Sequence, residues 1–186
     1  MADDFKSLKG QLLLDGGKLH GSWFHRTVVL VCQHDEEGAF GLVLNKPSPA
    51  SVGDAIVADL PDVLKAEALY VGGPVQSTAL SFLRSDSFIL DANVMPGLSL
   101  DHSLDDLVEC SESFSPTQQI KVFAGYAGWA PGQLDDEMQR KSWLLHPAKI
   151  EHVFHKKPEE LWRDILKTKG WDFKLLADQP EDISWN

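Results

Sequence analysis

The chain has 186 residues, 43% hydrophobic and 24% charged, and its 28 acidic and 17 basic side chains give a formal net charge of -11. This is the composition of a soluble globular domain with one substantial core, and it excludes a disordered or fibrous chain. The negative balance repels phosphate backbones, so direct DNA binding would need a local basic patch; no apolar run approaches the roughly 20 residues that span a bilayer. The start, Met1-Ala2-Asp3-Asp4-Phe5-Lys6, has neither the basic opening nor the apolar stretch of a secretory signal, and the expected location is the cytoplasm.

Short apolar segments rich in β-branched and aromatic residues predict strands at Gln11 to Leu14, Thr27 to Cys32, Phe40 to Leu44, Leu69 to Val71 and Leu80 to Leu83. Further strands are predicted at Phe88 to Leu90, Ile120 to Ala124 and Trp143 to His146. Several are apolar at every position, as strands covered on both faces are. The segment His34-Asp35-Glu36-Glu37-Gly38 reads as a hairpin turn, which makes its two flanking strands antiparallel.

Helices alternate with these runs. Ser51 and Asp54 have the spacing of a capping box, with Val52, Ala55, Ile56 and Leu60 on one face and Pro61 as the stop. Ser103 and Asp106 repeat that spacing. A third helix starts near Gln133, with acids first and Arg140-Lys141 last, in the order the helix dipole favours. In the fourth, Pro158 opens, Leu161, Trp162, Ile165 and Leu166 share a face, and Gly170 closes. The region Asp91 to Thr117 reads as the most loop-rich, and about 178–186 reads as a mobile polar tail of a single domain spanning 1–186. Antiparallel hairpins mixed with helices predict an α+β fold.

The glycine-rich stretch Gly125-Tyr126-Ala127-Gly128-Trp129-Ala130-Pro131-Gly132-Gln133-Leu134 sits at a strand-to-helix junction, where backbones approach closely and ligands often dock. Gly38-Ala39-Phe40-Gly41-Leu42-Val43-Leu44-Asn45-Lys46-Pro47 and Tyr70-Val71-Gly72-Gly73-Pro74-Val75 precede it, and Pro158-Glu159-Glu160-Leu161-Trp162 follows. With these motifs, in this order, the chain resembles the YqgE/AlgH family of bacterial proteins along nearly its whole length. It departs after the first strand, where Asp15-Gly16-Gly17-Lys18-Leu19 replaces the family's usual proline-containing segment. The resemblance implies a bifurcated mixed β-sheet curled toward a pseudo-barrel, with flanking helices. One branch of the family carries a label as a transcriptional regulator of alginate synthesis; the resemblance supplies no catalytic residue.

Weighed individually, most candidate residues have a structural reading beside the functional one. His34 with Asp35 could orient an imidazole for base catalysis, and Cys32, two residues away, would face the same side of a regular strand. Burial in an apolar run favours an inert Cys32. Asn45 reads first as a turn former, and Gly72-Gly73-Pro74 lacks the pattern of a phosphate cradle. Asp135, Asp136 and Glu137 would repel an anion from the Gln133 helix, so a cationic or neutral polar ligand stacked on Tyr126 or Trp129 fits that junction better. The histidines and cysteines show no metal-ligand spacing, and no metal or cofactor is expected.

The leading expectation is therefore a non-catalytic cytoplasmic domain that binds a small molecule or protein through His34, Asn45, Gly73, Tyr126, Trp129, Gln133 and Glu137, with any link to transcription indirect. The rivals are a hydrolase using His34, Asp35 and Glu137, and a direct DNA-binding regulator. If the motif side chains prove buried and mutually bonded, they specify the fold, and function lies elsewhere.

Overall fold

A computed structural model describes residues 6–87, 89, 92–113 and 115–180. The chain folds as α+β, and the described residues form a mixed sheet of nine strands. Its first layer is built from hairpins. Strand β1 (Gln11–Asp15) pairs antiparallel with β2 (Val28–Asp35), which turns at Glu36-Glu37 into antiparallel β3 (Gly38–Val43). The Asp35 carboxylate accepts the Glu37 N–H at 2.9 Å and holds that turn.

β4 (Pro47–Ser51) leads into the one-turn helix α1 (Val52–Ala55). The Ser51 and Asp54 capping box is present, with the Ser51 hydroxyl accepting from the Asp54 N–H and the Asp54 carboxylate accepting from the Ser51 N–H. The helix ends sooner than predicted. Ile56 is already extended, with φ -120° and ψ 116°, as suits a β-branched residue. Pro61 then precedes a separate helix, α2 (Asp62–Ala66), instead of stopping the first.

β5 (Ala68–Val71) runs into β6 (Val75–Ser85). The predicted strand Phe88 to Leu90 lies outside the described residues at Phe88 and Leu90. The region expected to be loop-rich holds β7 (Leu98–Asp101) and α3 (Leu104–Glu112), the latter started by Ser103 accepting from the Asp106 N–H.

The long strand β8 (Gln119–Trp129) organises the sheet. Its first part pairs antiparallel with β6 and parallel with β5, while Ala127 to Trp129 pair with β3. The change of partner falls at Gly125, whose φ of +73° bends the strand. The sheet therefore forks at β8, and it does not close into a barrel: β7 lies at one end of the fork and β9 (Trp143–Pro147), paired to β1, ends the other branch.

Helices cover both faces. α4 (Gln133–Gln139) lies over Leu13, Val29, Val31, Val43, Ala127, Trp129 and Trp143. The opposite face takes α5 (Ile150–Val153), α6 (Pro158–Lys167) and α7 (Trp171–Ala177). Leu161, Trp162, Ile165 and Leu166 of α6 are buried there against Leu12, Leu14, Val28 and Leu30. The two sets alternate along β1 and β2, as period-2 side-chain direction requires. A predicted mobile tail at 178–186 falls mostly outside the described residues.

Candidate functional site

Four side chains, those of Trp129, Gln133, Glu137 and Trp143, meet on the α4 face. The Glu137 carboxylate accepts two indole N–H groups through one oxygen, from Trp129 at 3.0 Å and Trp143 at 2.8 Å. Its other oxygen accepts from the Gln133 amide at 3.0 Å, and the Gln133 carbonyl accepts the Ala130 N–H at 3.0 Å. Trp129 is 7% exposed and Trp143 5%. Buried indole N–H groups need acceptors, and one charged carboxylate serves both. His34, 6% exposed, accepts the Leu8 N–H on Nδ1 at 3.0 Å and places Nε2 3.5 Å from Asp135. Acceptance at Nδ1 puts the ring proton of the neutral form on Nε2, directed at Asp135.

The other expected residues lie apart from this group. Asn45 uses both ends of its amide within the fold: Oδ1 accepts the Val28 N–H and Nδ2 donates to the Arg26 carbonyl, each at 2.8 Å. Gly73 is buried where the β5–β6 connection crosses β8; a Cβ there would meet the Tyr126 carbonyl carbon at 2.0 Å. Tyr126 stacks on Phe40 at 4.9 Å, on the sheet face opposite Trp129. The seven residues thus occupy both faces of the sheet and the crossing between its branches, and do not converge on one surface.

The expected Cys32/His34 geometry is corrected by a β-bulge. Val31 pairs with Gly41 but Gln33 with Phe40, so Cys32 is the extra residue on β2. The bulge inverts the alternation beyond it. Cys32 is enclosed in the α6-side core, where burial raises its thiol pKa, while His34 faces α4. His34, Asp35 and Glu137 also have separate partners: Asp135, the Glu37 backbone, and the two indoles.

A residue the sequence reading passed over stands out. Lys121 lies within the buried part of β8 and is 6% exposed. Its Nζ donates to the Leu44 carbonyl at 2.8 Å and the Val153 carbonyl at 3.0 Å, and sits 3.8 Å from the centre of the Tyr70 ring. No carboxylate of the described residues forms an ion pair with it, and burial alone lowers its pKa to about 7. Lys121 lines a cavity of about 530 Å³, where Tyr70 and Phe154 supply aromatic surface and Lys156 and Glu67 add charge. An adjoining groove shares Gln119, Phe154, His155 and Lys156. The signal in the sequence was a lysine inside the strand run Ile120-Lys121-Val122-Phe123-Ala124, on a face that an apolar neighbour would otherwise occupy.

The AlgH-like family model matches residues 12–174. The chain belongs to the AlgH-like family. Relatives include a UPF0301 protein of Chlorobaculum parvum, 37% identical over 97% of each chain. A UPF0301 protein of Streptomyces coelicolor is 35% identical over 98% of this chain and 97% of its own. The solution structure of the AlgH protein from Pseudomonas aeruginosa superposes with a TM-score of 0.73 at 26% identity, covering 96% of this chain and 98% of that one. A crystal structure of a Corynebacterium diphtheriae protein, at 24% identity and TM-score 0.77 over 94% of both chains, shares the fold.

In this AlgH-like protein the densest basic segments, His155-Lys156-Lys157 and Lys167-Thr168-Lys169, are largely engaged within the fold. Lys157 pairs with Glu160 at 3.0 Å, His155 with Asp164 at 3.4 Å, and Lys167 with Asp178 at 3.3 Å. Lys169 donates to the Leu145 carbonyl at 2.7 Å. Among the described residues no three His, Cys, Asp or Glu side chains gather as a metal site needs, and no helix is long and apolar enough to cross a membrane.

Proposed function

We propose that this AlgH-like protein is a non-catalytic domain that binds a small molecule in the cytoplasm. The observation that carries this reading is the cavity of about 530 Å³ beside Lys121, whose size falls in the range of small-molecule sites and whose lining sets the Tyr70 and Phe154 rings among polar and charged side chains. The motif residues support the same division of labour. Glu137, Trp129, His34 and Asn45 spend their hydrogen bonds on each other or on the backbone, which leaves them as parts of the scaffold that sets β8 in place.

The hydrolase reading has less support, because His34 turns to Asp135 and Glu137 to two indoles. Direct DNA binding is disfavoured by the net charge of -11 and by the acids paired to the basic segments. An influence on transcription would then pass through a partner that senses the ligand-bound state. Ligand-observed NMR against a metabolite library tests the reading. Hits should be retained by wild type, lost in a Ser111→Trp variant that fills the cavity, and recovered chemically unchanged. Hits indifferent to that plug, or converted to product, would overturn it.

A further inference from the structure

Lys121 poses a charge problem that the fold does not solve internally. An ammonium group has three N–H donors and strongly prefers water, so a buried one is ordinarily paired with a carboxylate. Here two donors go to the carbonyls of Leu44 and Val153, and the third is left for the Tyr70 ring face or for an acceptor in the cavity. The chain carries 28 acidic residues, yet none of those described pairs with Lys121. Lys156, which lines the same cavity, likewise forms no ion pair among the described residues, although its neighbours each contact an acid, Lys157 with Glu160 and His155 with Asp164.

The cavity also limits how much negative charge it would accept. Glu67 lines it, and Glu159 lies near enough to act on Tyr70. Two lysines against one lining carboxylate leave room for about one further negative charge. Beside these groups the cavity offers the Tyr70 and Phe154 rings and aliphatic surface from Leu64 and Ile120.

We infer that this cavity is a binding site for a small organic monocarboxylate, whose charge is met by Lys121 and Lys156 and whose apolar body lies against Tyr70 and Phe154. The inference rests on the ligand-binding reading above and adds the chemical class. Bound carboxylate supplies the counter-ion that the fold withholds, so binding and protonation of Lys121 reinforce one another. The charged and titratable groups lining the cavity are Lys121 from β8, Tyr70 from β5, Glu67 before it, and His155 and Lys156 after α5, while Glu159 of α6 acts on Tyr70 from outside that lining.

Benzoate, benzyl alcohol and benzylamine share one apolar body and differ in charge, and amide shifts of the full chain report where each binds. Benzoate should move the amides of Gln118 to Val122, Ala68 and Phe154 to Lys156, while the alcohol and the amine leave them nearly still. Its affinity should fall about tenfold or more between about pH 6 and pH 9 as Lys121 loses its proton, and the fall should persist in His155→Gln. Lys121→Met should abolish binding and Lys121→Arg retain part of it. Should Lys121→Met fail to fold, the charge series and the pH dependence of the wild type decide alone. Equal shifts from alcohol or amine would overturn the carboxylate assignment and leave a ligand site standing. Shifts from none of the three would also overturn it; the ligand-binding reading itself falls only if the wider metabolite library gives no hit lost in Ser111→Trp.

Discussion

Glu137 shows how a conspicuous acid can be explained by what it accepts. One carboxylate takes two indole N–H groups and a side-chain amide, and all three partners come from motif residues or from Trp143. Glu137→Gln keeps the shape but removes the charge and replaces one acceptor oxygen with a donor. We expect a loss of about 1–3 kcal/mol in urea unfolding, since hydrogen bonds to a charged group exceed neutral ones and a misplaced donor leaves a buried group unsatisfied. An unchanged midpoint would mean the indoles do not depend on this acid. Lys121 gives a prediction of a different kind. Below about pH 7 the amine is protonated in the folded and unfolded states alike, and the burial penalty is fully present. Above that point the folded state gives up its proton while the unfolded state keeps its own up to the ordinary lysine range, so this group makes stability rise with pH. Urea midpoints for the wild type should therefore gain on those of Lys121→Met between about pH 7 and pH 9, and parallel curves would contradict the assignment. The sequence made the inertness of Cys32 legible, because an all-apolar run buries a thiol. It hid the bulge that separates Cys32 from His34, since a run apolar at every position from Val28 to Cys32 has no alternation for an extra residue to break.

At the scale of elements, the glycines mark where the two branches of the sheet touch. Gly72, Gly73 and Gly125 sit where the β5–β6 connection lies against β8; a Cβ on Gly72 would meet the Gly125 carbonyl oxygen at 2.3 Å. Gly73→Ala must push backbone from backbone, and we expect several kcal/mol of destabilisation or failure to fold by circular dichroism. Gly132→Ala is the control. That glycine has φ +73° but open space around it, so the cost should be about 1 kcal/mol. Comparable losses at the two sites would show that conformational freedom, and not close approach, is what Gly73 supplies. The same physics explains which elements were readable. Strong apolar runs gave β1, β2, β3, β5, β8 and β9, and Pro158 with the apolar face after it gave α6. β4 was missed because its sequence holds Pro47 and Pro49, which an outer strand tolerates because its N–H groups need not all pair. α7 was missed because Gly170 reads as an ending; here it also begins the next helix, which buries Phe173, Leu176 and Ala177 against the α6-side core.

For the whole molecule, the forked sheet divides labour between its ends. The C-terminal end of β8 is fastened to α4 by the Trp129, Trp143, Glu137 and Gln133 network, and its N-terminal part borders the cavity through Gln119 to Val122. The sequence draws attention to glycine-rich motifs, which the structure spreads over both faces of the sheet and the crossing between its branches. The cavity is assembled from α2, β5, α3, β8 and the segment after α5, and no sequence spacing reveals that such distant pieces meet. The net charge of -11 belongs to the surface as a whole, while Lys121 and Lys156 make one recess locally basic. The central claim is that ligand recognition occurs in this recess and not at the motif-rich α4 face. Crystals of the protein soaked with compounds retained in the NMR screen would test it most directly. The account predicts ligand density beside Lys121 and Tyr70, with the Glu137 network unchanged; density against Trp129 and Gln133, with the recess beside Lys121 empty of ligand, would contradict it.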